Sequence, residues 1–572
     1  MRSRSRSTAG AGLRPRSRRR LWAFRVIAMV LPLCLLVIIE LVLRWVGYGH
    51  DTRLFIRYPD DPRYWVMNKY AAERYFTDTV NETRGSIEPF LVDKPAGTFR
   101  IFVLGESTTA GYPYFHNGSF HRWLEFRLMH EYPGLHFEII NVSLTAVNSY
   151  TVLDFGRQVM SYQPDALLVY TGHNEYYGAL GVGSTSHIAN SRWLVWTMVN
   201  LRRLRLVQWL GRLWSGLRSR VRGSLAAPDQ RENLMQRMAA DQRIALGSPA
   251  YAAGILQFRE NMDELCRITQ TLGVPVFLST VVSNLRDQRP FIGSGGDASG
   301  AAGGADASFA ARGADGAFAA GDSAWRAGDY AAAKRDYVAA RDADLLRFRA
   351  PSAIDSVIRV LAGEYSNVHL VDALERFEAA SPHGVAGHET LLEHVHPNLY
   401  GYALLSDAFY RSMMAAHLFS SPPAPDSLEF DSLLVKMPVT AVDSLDGAYT
   451  ILMLKSRWPF NEPIPSGFKR GNSVPEQLAG GLAVGRIDWS QALNELYTLS
   501  MRVGDKRTAL KAVEALSLDR PLYTRYALYA GRLNFELGDT SEAVFYFKQA
   551  CAIDPSPTNI QSLNMLYRKM NR

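Results

Sequence analysis

The segment Phe99 to Gly111 reads FRIFVLGESTTAG and decides the fold, because an apolar run meets a serine-bearing turn within it. The apolar run contains Ile101, Phe102 and Val103, which is typical of a strand buried in a sheet. The turn places Ser107 just beyond that strand. Since open α/β sheets bind ligands at the carboxyl ends of their strands, we expect Ser107 to lie at a functional edge.

Two further blocks contain the residue types that assist a serine nucleophile. Gly172-His173-Asn174-Glu175 follows the apolar run Ala166 to Tyr170, and Glu393-His394-Val395-His396-Pro397 precedes a stretch of helical character. A serine hydroxyl needs a base that takes its proton, and the developing oxyanion needs hydrogen-bond donors. The three blocks together therefore indicate a serine hydrolase or an acyl transferase.

Strands and helices alternate through this part of the chain. Helices are expected at 119–131 and 151–161, between apolar runs that predict strands. Such alternation predicts a parallel, doubly wound sheet of the α/β class. The expected strands are 99–104, 136–141, 166–171, 274–280 and 368–371.

In this order, the three blocks resemble those of the SGNH/GDSL hydrolase superfamily over residues 96–415, just over half of the chain. The resemblance implies a flavodoxin-like five-stranded sheet and ester chemistry through an acyl-enzyme, with no metal or other cofactor. We expect this domain to occupy residues 96–418, with insertions at 191–250 and 291–345.

The resemblance assigns a role to each of five residues. Ser107 is the nucleophile, His396 is the general base, and Glu393, where the family usually has aspartate, orients the base. The expected oxyanion donors are the Ser107 backbone N–H, the Asn174 side-chain amide and the Ala146 backbone N–H. Ala146 stands at a family glycine, and alanine disfavours positive φ, so this donor is expected with altered geometry.

The sequence leaves alternatives to these roles open. A backbone carbonyl in place of Glu393 would give a Ser/His dyad, and His394 is a rival base two residues from His396. A further alternative is that the turn around Ser107 is only structural and that Ser107 is not a nucleophile. Glu106 replaces the aspartate of the GDSL motif, and its place in the turn is expected to direct it away from His396.

Two other clusters of side chains invite separate interpretations. Four histidines fall within residues 383–396, but their spacing matches no zinc signature, and we expect no metal site. Three arginines near the last block would either bind an anionic or sugar substrate or tie a helix to the sheet by ion pairs, and the second role is more common. These arginines are Arg341, Arg347 and Arg349.

The charge of the chain is concentrated at its N-terminus. The 572 residues carry a net charge of +8, and residues 1–20 contain eight arginines and no acidic residue. Without those eight, the 63 basic residues fall to 55, which equals the 55 acidic residues. The balance of the remainder argues against a nucleic-acid partner. Three widely spaced cysteines predict no disulfide framework.

The basic tail of residues 1–20 leads into an apolar segment. We interpret 21–47 as an uncleaved signal anchor, because no small-x-small cleavage site follows it. A cleaved signal peptide and a buried core helix are the alternatives. The positive-inside rule places the tail in the cytoplasm and the catalytic domain outside, in the periplasm if the cell is Gram-negative.

Additions surround the expected catalytic domain. Residues 48–95 are expected to form an irregular connector. Residues 191–222 combine eight arginines with apolar residues at helical spacing, which indicates an amphipathic helix on a membrane surface or a packed helix with a solvated face. Residues 293–320 are rich in Gly, Ala and Ser and predict a flexible linker.

The C-terminal region 419–572 is expected to be all-helical. Small and aromatic residues recur there at the spacing of a tetratricopeptide repeat, for which one unit cannot bury its own face. Residues 488–520 match a diverged preceding repeat, and residues 328–340 match the second half of another. The clearest match comprises Gly531, Gly538, Asp539, Ala543, Phe547, Ala550 and Pro555.

These observations predict a membrane-anchored serine esterase or O-acyl transferase that acts on an acylated small molecule or a cell-envelope polysaccharide. A non-catalytic scaffold that binds glycan, or a protein partner through its repeats, is the alternative. A third interpretation is an enzyme that acts on lipid at the bilayer, through membrane contact by 191–222. The sequence does not separate a water acceptor from a sugar hydroxyl.

Overall fold

A computed structural model describes residues 18–76, 81–188, 191–221, 234–240, 243–293, 306–424 and 428–570. The chain divides into two compact units. One contains residues 1–51 and 196–227, and the other contains residues 52–195 and 228–572. Parts of the basic tail, of the 191–250 insertion and of the Gly/Ala linker lie outside the described residues.

The first unit contains the apolar helix α1 (Arg18–Trp45) and the amphipathic helix α6 (Arg205–Val221). Within the described residues, α1 alone is long and apolar enough to cross a membrane. The Glu40 carboxylate of α1 accepts hydrogen bonds from the backbone N–H groups of Arg205 and Leu206, at 3.1 and 2.8 Å. It thereby caps the positive end of α6.

The second unit is built around a parallel sheet. In chain order its five strands begin at residues 98, 136, 166, 276 and 368 and are labelled β4 to β8. They lie in the order β5-β4-β6-β7-β8, and every neighbouring pair is parallel. This order places β5, the second strand of the sheet in chain order, at one edge and corresponds to the flavodoxin-like arrangement. The predicted fold class is therefore confirmed. The strands are β4 (Thr98–Gly105), β5 (His136–Asn141), β6 (Ala166–Tyr170), β7 (Val276–Ser279) and β8 (Val368–Val371).

Two groups of helices flank the sheet. The helices α3, α12 and α13 pack together as one group, and α4, α8 and α11 pack together as the other. Because both faces are covered, consecutive residues of a central strand are apolar, and Ile101, Phe102 and Val103 of β4 are fully buried. The helices are α3 (Phe120–Glu131), α4 (Ser149–Val159), α8 (Pro249–Leu272), α11 (Ser352–Glu364), α12 (Ala373–Ala380) and α13 (Leu399–Ala415).

The region 48–95, expected to be irregular, contains a small antiparallel sheet. Its strands are β1 (Phe55–Arg57), β2 (Tyr64–Met67) and β3 (Phe90–Leu91). Phe55 and Phe90 pack edge to face at 4.9 Å and cover Phe102 of β4. The sheet therefore forms part of the core.

Short helices and one hairpin lie in the insertions and turns. The region 328–340, which resembles half of a tetratricopeptide repeat, contains a left-handed glycine, an aspartate cap and α10, which pairs with α9 in a hairpin. The prediction of a flexible linker over 293–320 is wrong from residue 306 onward, because those residues belong to α9. The remaining elements of this part are α2 (Ser107–Ala110), α5 (Arg192–Leu201), α7 (Leu234–Met238), α9 (Asp306–Arg326) and α10 (Tyr330–Ala343).

The C-terminal region is all-helical, as predicted. Gly504 and Gly538 are both left-handed, and the aspartate after each caps the next helix. These two turns are 34 positions apart, which is the period of a tetratricopeptide repeat. The helices are α14 (Phe430–Lys436), α15 (Ala441–Lys455), α16 (Val474–Ala483), α17 (Trp489–Val503), α18 (Lys506–Asp519), α19 (Thr524–Glu536), α20 (Thr540–Ile553) and α21 (Pro557–Met570).

Candidate active site

The three sequence blocks meet at one edge of the parallel sheet. Ser107 begins α2 directly after the end of β4, and Asn174 follows the end of β6. Since β4 and β6 are parallel neighbours, their carboxyl ends lie side by side. The block with His396 precedes α13 and reaches the same edge, where Ser107, Asn174 and His396 line a common cleft.

Ser107, His396 and Glu393 form a continuous chain of hydrogen bonds. The Oγ of Ser107 lies 2.9 Å from Nε2 of His396, and Nδ1 of His396 lies 2.5 Å from Oε1 of Glu393. With the ring proton on Nδ1, His396 donates to the carboxylate and accepts from the serine hydroxyl. The group that orients His396 is thus a carboxylate and not a backbone carbonyl.

Local backbone structure explains why Glu393 reaches His396. The segment folds back on itself, so that Leu391 and Pro397 form an isolated antiparallel bridge. The backbone N–H of His396 donates to Oε1 of Glu393 at 2.8 Å, and the Glu393 side chain is fully buried. One carboxylate oxygen of Glu393 therefore contacts both the backbone and the ring of His396, and the longer glutamate side chain still reaches the histidine.

Burial sets the protonation of the two histidines in this block. It lowers the pKa of His396 to about 3, against the opposing charge of Glu106, because the imidazolium loses its hydration. The neutral ring at physiological pH is the form that accepts a proton. Burial also lowers the pKa of His394 well below its usual value.

His394 occupies a different position from the one a base would need. Its Nδ1 contacts the second carboxylate oxygen of Glu393, and its ring packs edge to face against Phe291 and Phe348. Within the described residues, the histidine within hydrogen-bond distance of Ser107 is His396. The carboxylate oxygens of Glu393 and the ring nitrogens of His394 and His396 lie close enough together to hold a cation. In this structure they contact one another instead.

The three residues expected to supply the oxyanion donors lie in one cleft. Ser107, Ala146 and Asn174 all line the cleft. Ala146 adopts φ 56°, in the left-handed region that the family glycine would occupy without strain. Its carbonyl accepts a hydrogen bond from Ala179 at 2.8 Å, which holds the turn in place. The alanine thus tolerates the conformation that the sequence led us to question.

Glu106, next to Ser107, forms hydrogen bonds with the segment that contains Asn174. Its carboxylate accepts from the Thr171 hydroxyl at 2.7 Å and from the N–H groups of Gly172 and Asn174 at 3.0 and 2.9 Å. Burial raises the pKa of Glu106 to about 7. Sequence reasoning missed its positioning of Asn174, although the unusual glutamate was a signal.

The three arginines near the last block are engaged elsewhere. Arg347 donates to the carbonyl of Ile244 at 2.8 Å, and Arg349 pairs with Asp344 at 3.3 Å. Arg341 pairs with Asp342. All three are buried, and their contacts join loops and helix ends rather than a helix and the sheet.

The cleft encloses about 600 Å³ and is walled by segments far apart in the chain. Sequence analysis did not anticipate the contributions of α7 and α15. The walls combine aromatic, thioether and aliphatic side chains with a few polar groups. The lining residues outside the three blocks include Tyr112, Phe115, Tyr177, Leu234, Met235, Arg237, Met238, Phe348, Thr450, Met453, Leu454 and Arg457.

Comparison with known proteins supports the helical repeats. The tetratricopeptide repeat family model matches residues 498–557, from within α17 to just beyond α20, which confirms the predicted repeat there. No curated protein sequence matches the chain.

Several solved structures are similar to about half of the chain. The crystal structure of TesA has 12% identity and a TM-score of 0.26, and covers 56% of this chain and 99% of its own. An acetyl xylan esterase, AlAXEase, has 13% identity and a TM-score of 0.27, covering 55% and 98%. The esterase EstA from Pseudoalteromonas sp. has 12% identity and a TM-score of 0.25, covering 55% and 97%. Values this low assign no activity.

Proposed function

We propose that the chain is a membrane-anchored serine hydrolase that acts on ester bonds through an acyl-enzyme on Ser107. The observation that carries the proposal is the hydrogen-bonded chain from the Ser107 hydroxyl through His396 to the buried Glu393 carboxylate. This is the arrangement of nucleophile, base and orienting acid that recurs in serine hydrolases of unrelated folds.

In the acylation step, Nε2 of His396 takes the hydroxyl proton while Oγ of Ser107 attacks the ester carbonyl. The charge that develops on the carbonyl oxygen is met by the Ser107 and Ala146 N–H groups and the Asn174 amide. Glu393 stabilises the imidazolium as it forms. The ester C–O bond then breaks, and His396 returns its proton to the departing alcohol.

In the deacylation step, a second acceptor enters the cleft. His396 removes a proton from water, or from a sugar hydroxyl, as that oxygen attacks the acyl-enzyme. Collapse of the second tetrahedral intermediate releases the acid or the new ester and restores the Ser107 hydroxyl. The same residues thus serve a hydrolase and an O-acyl transferase.

The proposed location follows from α1. An apolar helix of this length crosses a bilayer, and the eight arginines before and at its start favour the cytoplasmic side. The catalytic domain would then face outward, where acylated envelope glycans and lipids are available. Protease added to spheroplasts is expected to digest the chain beyond residue 47 and spare the tail; full protection would contradict this orientation.

Activity is tested on the full chain in detergent with a fluorophosphonate probe and a short-chain nitrophenyl ester. Wild type is expected to label and to turn over. Ser107→Ala is expected to lose labelling and at least about 10³-fold in kcat, because it removes the nucleophile. Ser356→Ala is the matched control, since the Ser356 side chain makes only a local helix hydrogen bond. Unchanged hydrolysis by Ser107→Ala would refute the proposal.

A further inference from the structure

One face of α15 forms a wall of the cleft. Thr450, Met453, Leu454 and Arg457 all line the cavity that holds Ser107. Their spacing of three, four and seven positions places them on a single side of the helix and its last turn. The C-terminal helical region therefore contributes side chains directly to the space in front of the predicted nucleophile.

The chain segment after α2 holds this wall in place. Gly447 of α15 lies against the Tyr114 ring, at a position where any side chain would collide with the ring. The side-chain amide of Asn117 donates to the Ala515 carbonyl of α18 at 2.8 Å. The His116 ring stacks on Trp489 of α17 with ring centroids 4.4 Å apart. The wall is thus fastened to the loop that follows Ser107.

The cleft walls are apolar and adaptable. Met453 and Leu454 of α15, Met235 and Met238 of α7, and Phe348 all line the cavity. Methionine side chains are flexible and polarisable, so they fit hydrocarbon of varied shape. The walls formed by α7 and α15 offer a sugar a single hydroxyl, that of Thr450, among the described residues. The composition favours an alkyl or acyl chain.

Two cationic side chains lie in the lining of the cleft. Arg237 and Arg457 line it, and among the described residues no aspartate or glutamate does. Arg237 donates to the side-chain oxygen of Asn81 at 2.8 Å. Arg457 is exposed, and no side chain in the described part of the chain pairs with its guanidinium. An exposed guanidinium that no carboxylate pairs with attracts a carboxylate or a phosphate of a ligand.

We propose that the substrate is an anionic amphiphile, an ester with an apolar chain and a negatively charged group, and that α15 selects it. Met453 and Leu454 contact the apolar chain, and Arg457 pairs with the phosphate or carboxylate. This inference rests on the proposed function for its chemistry. The binding it describes is measurable without turnover.

The test uses the full chain carrying Ser107→Ala, in nanodiscs of zwitterionic lipid, with binding followed by calorimetry and empty nanodiscs as the blank. Octyl phosphate and octanoate are expected to bind more tightly than the neutral octyl glucoside. Adding Arg457→Gln is expected to weaken the binding of both anions by about threefold to tenfold and to leave octyl glucoside unchanged. The tighter of the two anions identifies phosphate or carboxylate as the natural group.

A matched control is Lys455→Gln, two positions away. Lys455 pairs with Glu462 and does not line the cleft, so its loss is expected to change neither anion's Kd. Equal affinity for octyl phosphate and octyl glucoside, or equal affinity with and without Arg457, would overturn the inference. Anion binding that depends on Arg457 in a chain that hydrolyses no ester would uphold the site and overturn only the proposed function.

Discussion

Glu393→Gln is the sharpest test of the hydrogen-bonded chain, because it keeps the shape of the side chain and removes its charge. Glu393 is fully buried and accepts from both Nδ1 and the backbone N–H of His396, at 2.5 and 2.8 Å. As Ser107 loses its proton, His396 becomes an imidazolium, and the Glu393 carboxylate in contact with its ring neutralises that charge. The amide cannot, and it favours the wrong tautomer of the ring.

The magnitude follows from the charge pair that is lost. At an effective dielectric constant of about 20, unit charges about 4 Å apart attract by about 4 kcal/mol. That energy corresponds to about a 10³-fold fall in kcat, with little change in KM, since the pair forms only as the reaction proceeds.

The assay is steady-state hydrolysis of a nitrophenyl ester by the full chain, with circular dichroism to verify folding. Glu389→Gln serves as control, because Glu389 lies in the same loop but pairs with Arg286 at 2.6 Å, away from the cleft. The control is expected to stay within about twofold of wild type. A folded Glu393→Gln variant within tenfold of wild type would refute the reasoning.

Three further predictions follow from the same geometry. Asn174→Ala removes an oxyanion donor and is expected to lower kcat by about 10² to 10³ with KM retained, in the same assay; an unchanged kcat would exclude Asn174 from the oxyanion site. Glu106→Gln places an amide nitrogen against N–H donors, so kcat is expected to fall about tenfold through displacement of Asn174, and loss of thermal stability without loss of kcat would contradict this role. Although burial opposes both shifts, mutual attraction lowers the pKa of Asp519 to about 2 and raises the pKa of His116. The stabilising effect of Asp519 is therefore present above about pH 4 and lost as the pH falls toward 2, and that of His116 is lost as the pH rises above about 6.5. The Tm difference between wild type and Asp519→Asn is expected to be largest between these limits, and a difference independent of pH would exclude this ion pair.

Much of the site was predictable because a parallel sheet brings sequence-distant strand ends together. Ser107 and Asn174 each follow an apolar run, and the two runs became neighbouring strands. The choice between His394 and His396 was harder from sequence. It depends on the backbone bridge from Leu391 to Pro397, which turns one ring toward Ser107 and the other toward aromatic side chains.

Other features depended on contacts that a local pattern does not reveal. The strand Phe90–Leu91 is too short for a period-two signal, and only its packing against Phe102 shows that it belongs to the core. Nothing in the local sequence pattern of α15 marks the face that lines the cleft. The position of that face depends on long-range packing such as that of Gly447 against the Tyr114 ring, more than 300 residues apart in the chain.

The most direct test of the central claim is to trap the acyl-enzyme. The full chain is mixed with a nitrophenyl ester, quenched in acid during turnover, digested, and mapped by mass spectrometry. The account predicts one acyl group on the peptide that contains Ser107, in wild type and not in Ser107→Ala. Hydrolysis that proceeds with no acyl group on Ser107, or with the acyl group on another residue, would contradict it.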